Sequence, residues 1–385
     1  MISITKLLCD LPSYGDELRY RKGMNSLTRR PIVVWNCLRK CNLACMHCYS
    51  NSSNRDYEGE LTTAEAEKMI LDLEEFRVPV LLFSGGEPFL RQDLFELNDF
   101  AHRHHLRTVV STNGTLITED IARRVKESGF DYIGVSLDGI NERNDMFRGK
   151  KGAFKLALLG IRNLVAVKQK VGLRFTITRH NYPDIKDIFR LVEEEAIDRV
   201  CFYHLVYSGR GSQMTEDDLP RKDMRECIDS ICDWAVSMHR RGINKEVLTV
   251  DNHADAIYLY LKTKEKDPQK AREVLQLLEY NKGNASGIAI ANVDNRGNVH
   301  ADQFWQGYTF GNVKERKFGT IWMDTTDPVM AKLKNRAKFI KGRCGRCKFL
   351  ELCNANFRAR AEAVYQDMWQ EDPACYLTDQ EIGLA

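Results

Sequence analysis

The chain has 385 residues, of which 43% are hydrophobic and 29% charged, and its formal net charge is +3. This length predicts two or three domains, or one large α/β barrel with an appendage. The nearly balanced charge does not indicate a nucleic-acid or membrane-surface protein. No apolar run reaches the ~18 residues of a membrane span. The amino terminus lacks the pattern of a signal peptide, so we expect a cytoplasmic protein.

Strands and helices alternate from Pro31 to about Tyr207. The residues before Pro31 are basic and read either as a solvated lead-in or as a cap that supplies cations to an acidic substrate. Predicted strands cover 32–35, 80–83, 107–110, 132–135, 173–177 and 200–204. Predicted helices cover 63–76, 94–104, 119–128, 154–168, 184–195 and 222–240. Six β-then-α units in series predict an α/β fold with a parallel sheet, and six are too few for a closed eight-stranded barrel. We therefore expect a partial, TIM-like barrel.

Polar and glycine-rich segments follow the first four predicted strands. They are residues 41–48, 84–88, 111–114 and 136–139. In parallel α/β folds the ligand site lies at the carboxyl ends of the strands. These four segments should therefore meet at one mouth.

Beyond Asp251 the pattern changes. Residues 255–280 read as helical, and residues 287–299 read as a hairpin with an Asn-Arg-Gly-Asn turn. We expect four parts in the chain: an N-terminal extension (1–30), a core barrel (31–245), a helical linker (246–285) and a small C-terminal domain (286–385).

Twelve cysteines are many for a chain without a signal peptide. Clustered cysteines in a reducing compartment indicate metal binding rather than a disulfide framework. Two groups stand out: Cys41, Cys45 and Cys48, and then Cys344, Cys347, Cys353 and Cys375. Three thiolates on one tight loop can hold three corners of an iron–sulfur cube and leave the fourth iron open, whereas four thiolates can close a cube. The alternatives are a zinc site with Cys37 or His47 as fourth ligand, and a zinc knuckle.

The first group, with Gly-Gly-Glu-Pro after the next strand, resembles the signature of radical S-adenosylmethionine (SAM) enzymes. The resemblance implies that the open iron binds the amino and carboxylate groups of SAM, and that the reduced cluster cleaves SAM to a 5′-deoxyadenosyl radical. It also implies SAM contacts at Gly85, Gly86, Glu87, Pro88, Ser136 and Asp138. Asp138 could instead cap a turn with Gly139.

The second group resembles the auxiliary-cluster domain known as SPASM. Where that family has an upstream cysteine, this chain has the segment His300-Ala301-Asp302. The resemblance therefore implies one auxiliary 4Fe-4S cluster, and two clusters in the whole chain.

Three segments, 13–20, 31–43 and 298–305, resemble the tetrapyrrole-modifying branch of these enzymes. The resemblance implies removal of two acetate side chains from didecarboxysiroheme to give iron-coproporphyrin III, with an electron donor such as ferredoxin or flavodoxin. Relatives in the branch remove propionates instead, on the way to heme d1 or heme. A multi-carboxylate substrate needs cations. Candidates are Arg19, Arg21, Arg29, Arg30, Arg174 and Arg210.

Three further alternatives stay open. His300 could ligate the substrate's iron or donate a proton, or it could be a hydrogen-bonded hairpin residue. The chain could modify a peptide, although the roughly thirty residues before Pro31 are short for a docking domain. It could also be a zinc-binding interaction module, which would leave the glycine loops at the strand ends unexplained.

Overall fold

The computed structural model describes residues 1–23 and 28–384. Residues 24–27 of the predicted N-terminal extension, and residue 385, lie outside this description. The described strands are β1 (Ile2–Ser3), β2 (Ile32–Leu38), β3 (Leu81–Gly85), β4 (Thr108–Thr112), β5 (Tyr132–Ser136), β6 (Val171–Ile177), β7 (Arg199–His204), β8 (Glu246–Val250), β9 (Ile290–Val293) and β10 (Val299–His300).

Helices fill the connections between the strands. They are α1 (Ile4–Cys9), α2 (Asp16–Arg19), α3 (Thr63–Glu75), α4 (Leu94–Arg103), α5 (Glu119–Glu127), α6 (Glu142–Arg148), α7 (Ala153–Ala166), α8 (Ile185–Glu194), α9 (Arg221–Arg240), α10 (Ala254–Lys266), α11 (Pro268–Asn281), α12 (Phe318–Met323), α13 (Pro328–Lys334), α14 (Gly342–Gly345), α15 (Leu350–Cys353), α16 (Arg358–Tyr365) and α17 (Asp379–Ile382).

The strands form one open sheet in the order β1-β8-β7-β6-β5-β4-β3-β2-β9-β10. The six predicted β-then-α units, β2 to β7 with their helices, are confirmed. The sheet also contains β8, parallel to β7, and β9, parallel to β2. Antiparallel β1 and β10 lie at its two edges. The structure is therefore a partial barrel, wider than the six expected strands.

The inner strands are rich in apolar residues, so that both faces of the sheet can be buried. Val33, Val34 and Trp35 of β2 are buried, as is every residue of β8. The helices turn an apolar face to the sheet, and α3 begins with a capping box between Thr62 and Glu65. Thr62 is the N-cap of this helix, because its hydroxyl accepts a hydrogen bond from the amide of Glu65.

Two of the candidate substrate-binding arginines, Arg19 and Arg29, lie in the N-terminal segment. Arg19 forms ion pairs with Asp16 (3.0 Å) and with Glu246 (2.7 Å), the first residue of β8. Arg29 donates hydrogen bonds to the backbone carbonyls of Leu18 and Asn281. The interpretation of Arg19 as a cation at the ligand mouth is therefore wrong, since it lies at the amino end of β8, whereas the mouth is formed by the carboxyl ends of the strands.

The C-terminal part is joined to the barrel through the same sheet. The predicted hairpin is confirmed, because β9 and β10 pair antiparallel around a turn at Asp294–Gly297. Strands from all four predicted parts of the chain lie in one sheet. The sheet therefore extends across the predicted domain boundaries, and these boundaries stay a prediction. Within the described ranges, no helix is long and apolar enough to cross a membrane.

Candidate active site and auxiliary cysteine site

A cavity of about 1030 Å³, including its opening to solvent, lies at the carboxyl ends of the strands. The predicted meeting of the four polar segments is confirmed, because each contributes to the lining. The contributions include Cys41, Gly85, Asn113 and Ser136. Later strands add further polar side chains: Arg174 and Thr176 of β6, Tyr203 and His204 of β7, and Asp251 directly after β8.

The cysteine loop, residues 41–48, is held on two sides by backbone hydrogen bonds. Gly86 and Glu87 donate to the carbonyls of Leu38 and Lys40, at 2.8 and 2.9 Å, just before the loop. The amide of Ala44 donates to the Arg148 carbonyl at 3.1 Å, at the end of α6. The loop is therefore fixed by the β3 and α6 segments together.

The guanidinium of Arg210 supports the same loop from the segment after β7. It donates hydrogen bonds to the carbonyls of Cys45 (2.7 Å) and Ser52 (2.9 Å). Arg210 is also a candidate for substrate binding, but it lies outside the cavity lining, and two of its three side-chain nitrogens donate to these backbone carbonyls.

All three cysteines of the loop line the cavity. The guanidinium of Arg148 donates to the sulfur of Cys45 at 3.6 Å. The side-chain amide of Asn113 donates to the sulfur of Cys41 at 3.9 Å. Burial raises the pKa of Cys41 to about 12 and also raises that of Cys45. Buried thiolates of this kind need a cationic partner, so the donor set fits a metal cluster.

The two glycines of the Gly-Gly-Glu-Pro segment let the backbone of β3 approach the cysteine loop. A Cβ at Gly86 would lie 2.5 Å from the carbonyl carbon of Lys40 and 2.7 Å from the carbonyl oxygen of Arg39. Gly85 has a φ of +129° and faces the backbone of Asn36 and Leu38. Glycine is therefore required for packing against the loop, and both residues also line the cavity.

The two predicted carboxylates, Glu87 and Asp138, are fully buried and do not belong to the cavity lining. Glu87 accepts hydrogen bonds from the Thr112 hydroxyl (2.7 Å) and the Asn113 amide (2.8 Å). Burial raises the pKa of Glu87 to about 7. Its hydrogen bonds position the β4 end of the cavity.

Asp138 forms an ion pair with Arg148, and its carboxylate lies 3.2 Å from Nε2 of His47. Its other oxygen accepts a hydrogen bond from the amide of Thr176 at 2.7 Å. Asp138 therefore orients the two side chains that lie next to Cys45. Among the six predicted SAM contacts, Gly85, Gly86 and Ser136 line the cavity, whereas Glu87, Pro88 and Asp138 support it from behind.

The second cysteine group forms a separate site. Cys344, Cys347, Cys353 and Cys375 line one cavity, although 31 positions separate the first from the last. Ala254 and Ile257 of α10 line it too, which gives it an apolar wall on the side of the barrel. Arg343 donates to the sulfur of Cys375 at 3.4 Å, and the amide of Phe349 donates to Cys347 at 3.3 Å.

The zinc alternatives depend on which side chains accompany each cysteine group. In the part of the chain that the structure describes, no three Cys, His, Asp or Glu side chains are arranged to hold one metal ion. Cys37, a candidate fourth ligand of a zinc site, does not line the cavity. The Nε2 atom of His47, the other candidate, lies 3.2 Å from the carboxylate of Asp138.

His300 lies outside the cavity lining. Its Nδ1 is 2.7 Å from the carbonyl oxygen of Tyr308, and its Nε2 is 3.5 Å from Asp294. This geometry favours the alternative of a hydrogen-bonded hairpin histidine. Asp302, in place of the missing cysteine, accepts hydrogen bonds from the amides of Phe304 and Trp305 at 2.8 and 2.9 Å.

Several cavity residues were not predicted from sequence. The sequence gives no role for Arg148, and no motif marks Tyr203, His204 or Asp251. The glycine after Arg148 was a detectable signal, because glycine often ends a helix in the left-handed conformation, and Gly149 ends α6 with a φ of +65°. Among the six arginine candidates, only Arg174 belongs to the described lining of this cavity.

A parallel partial barrel with a three-cysteine loop after its first core strand defines the radical SAM class. The chain matches the radical SAM superfamily over residues 35–192. It belongs to this family, whose members use a 4Fe-4S cluster and SAM, and these are its cofactors.

Whole-length comparisons place the chain within the family. It is 52% identical to Fe-coproporphyrin III synthase of Methanosarcina barkeri, over 100% of this chain and 99% of the relative. It is 43% identical to pre-heme d1 synthase of Dinoroseobacter shibae, over 93% and 89%. The crystal structure of Streptococcus suis SuiB bound to precursor peptide SuiA shares the fold, with a TM-score of 0.72, 16% identity, and coverage of 91% and 77%.

Proposed function

We propose that this enzyme removes two acetate side chains from didecarboxysiroheme and yields iron-coproporphyrin III. The observation that carries the proposal is the 52% identity to Fe-coproporphyrin III synthase over essentially the whole of both chains. Because the similarity spans the barrel and the C-terminal part, it includes the segments that line the cavity and those that hold the second cysteine group.

The cavity contains an arginine suited to a multi-carboxylate substrate. Arg174 stacks on the ring of Tyr203, with 4.9 Å from the guanidinium carbon to the ring centroid. Among the described residues it has no hydrogen-bonding or ion-pair partner, whereas the cavity residue Arg148 is paired with Asp138. A guanidinium with free donors binds a carboxylate in a bidentate fork. We assign Arg174 to a propionate or acetate arm of the substrate.

The chain's own residues hold the cofactors and orient the substrate. Cys41, Cys45 and Cys48 would ligate the first cluster, and Ser136 with the Gly85–Gly86 backbone would contact SAM. When bound, the cluster and SAM supply a carbon-centred radical that abstracts a hydrogen atom from the substrate. The four C-terminal cysteines would hold a second 4Fe-4S cluster that exchanges electrons with the reaction.

The reaction needs electrons from another protein. We propose a low-potential donor such as ferredoxin or flavodoxin. We further propose that the enzyme works in the cytoplasm, since reducing conditions keep its twelve cysteines available as thiols.

The test is an anaerobic assay with reconstituted enzyme, SAM, reductant and didecarboxysiroheme. The proposal predicts 5′-deoxyadenosine, acetate, and a tetrapyrrole with the mass of iron-coproporphyrin III. The 43% identity to pre-heme d1 synthase makes propionate removal the second candidate. A product that keeps both acetates and has altered propionates would favour that candidate. Cleavage of SAM without any change in the macrocycle would contradict both and reopen the peptide-modifying alternative.

A further inference from the structure

One cavity residue, Asp251, has no role in holding the cysteine loop or either cysteine site. It directly follows β8. In the order of the sheet, five strands separate β8 from β2, which precedes the cysteine loop. Its side chain is the only carboxyl group among the described residues that line the cavity.

The carboxyl group of Asp251 is buried and incompletely hydrogen-bonded. The residue is 8% exposed, and its Oδ2 is buried without a hydrogen-bonding partner. A buried carboxylate is normally paired or hydrogen-bonded. The backbone at Asp251 has a φ of +68°, a conformation that few residues other than glycine, asparagine and aspartate adopt readily. The fold thus keeps an unpaired carboxyl group in a constrained position at the cavity wall.

Two titratable side chains of the lining on the neighbouring strand β7, His204 and Tyr203, are less suited to proton delivery. His204 has both ring nitrogens in contact, Nε2 with Asp255 at 2.8 Å and Nδ1 with Asn252 at 3.4 Å. Burial raises the pKa of Tyr203 far above neutrality, so its phenol is a poor acid. Asp251, in contrast, has its pKa raised by burial to about 6, so that a fraction of it is protonated near neutral pH.

We infer that Asp251 is a catalytic acid that protonates the fragment released from the substrate. This inference rests on the proposed function. Once a hydrogen atom has been abstracted from the ring carbon next to the one that carries the acetate arm, homolysis of the bond to the arm forms a ring C=C bond. It releases a carboxymethyl radical. One electron from the low-potential donor and one proton from Asp251 convert this radical to acetate, and Asp251 regains its proton from water.

The first test follows hydrogen from solvent. In deuterium oxide, wild-type enzyme should release acetate with one carbon-bound deuterium, because the carboxyl proton of Asp251 exchanges with solvent. Acetate without deuterium would overturn the inference while leaving the proposed function intact. A wild-type enzyme that releases no acetate at all would contradict the proposed function itself.

The second test uses Asp251→Asn, since asparagine tolerates the same backbone conformation and cannot supply the proton. The variant should still form 5′-deoxyadenosine, while acetate per 5′-deoxyadenosine falls about 100-fold or more, the usual range for general acid catalysis. Asp251→Glu should recover part of the ratio. Asp187→Asn, on outer helix α8, is the matched control and should behave as wild type. An unchanged ratio in Asp251→Asn would overturn the inference.

The pH dependence of the wild-type enzyme needs no variant. Acetate per 5′-deoxyadenosine should fall as pH rises through about 6, because the protonated form of Asp251 disappears. A ratio that is constant across this range would contradict the inference. Titratable and charged groups around Asp251 contribute to its field: the amine of Met1, Arg174, Tyr203, His204, Asp302 and Arg360.

Discussion

Gly86→Ala should separate the cysteine loop from the strand that supports it. The added Cβ would lie 2.5 Å from the carbonyl carbon of Lys40 and 2.7 Å from the carbonyl oxygen of Arg39, whereas real Cβ contacts essentially never fall under 3.0 Å. Both neighbours are backbone, so a side-chain rotation cannot relieve the contact. Lys40 directly precedes Cys41, and the required shift of about 0.5 Å or more reaches the first cluster ligand.

The expected cost is about 1–3 kcal/mol of stability, the usual range for overpacking. Iron and sulfide bound at the first site should fall, and SAM cleavage should fall with them. Gly307→Ala is the control, since its Cβ would meet only the Glu362 carboxylate, at 3.8 Å. The assays are thermal unfolding, iron and sulfide content, and 5′-deoxyadenosine formation. Wild-type cluster content and melting temperature in Gly86→Ala would refute this account of the glycine pair.

Three further predictions concern charged residues and cluster ligands. Replacing Arg174 by Lys removes the planar fork and should raise the KM for the tetrapyrrole about 10- to 100-fold, with substrate-free SAM cleavage unchanged; an unchanged KM would exclude Arg174 from substrate binding. Arg148→Met removes a donor to the Cys45 sulfur and should lower the midpoint potential of the first cluster, read by electron paramagnetic resonance during redox titration. Replacing the four C-terminal cysteines by alanine should reduce iron from about eight to about four per chain, preserve SAM cleavage and abolish product formation; loss of SAM cleavage in a folded variant would show that the two sites are not separate.

Much of the barrel was predictable because each unit carries its own local pattern. Apolar β-branched runs mark the buried strands, and Thr62 with Glu65 marks the start of a helix. The strand β8 was missed, although Val247, Leu248 and Val250 form a short apolar run. Its first residue, Glu246, is charged, and only the folded structure reveals that Arg19 and Arg199 neutralise it.

The site was predictable where chemistry depends on spacing in the sequence. The cysteine groups and the glycine pair belong to this kind. The roles of Asp138 and Glu87 were not, because whether a carboxylate faces a cavity or the interior depends on distant partners such as Arg148 and Thr112. Asp251 gave no signal in the sequence, since its isolation arises from the packing of several elements around one side chain.

The most direct test of the proposed reaction is a measurement of its stoichiometry during turnover. Anaerobic enzyme with SAM, didecarboxysiroheme and reductant should form two 5′-deoxyadenosines and two acetates for each iron-coproporphyrin III, resolved by mass spectrometry over time. A transient species that has lost one acetate should precede the product. If 5′-deoxyadenosine forms while both acetate arms stay on the macrocycle, the proposed reaction is wrong.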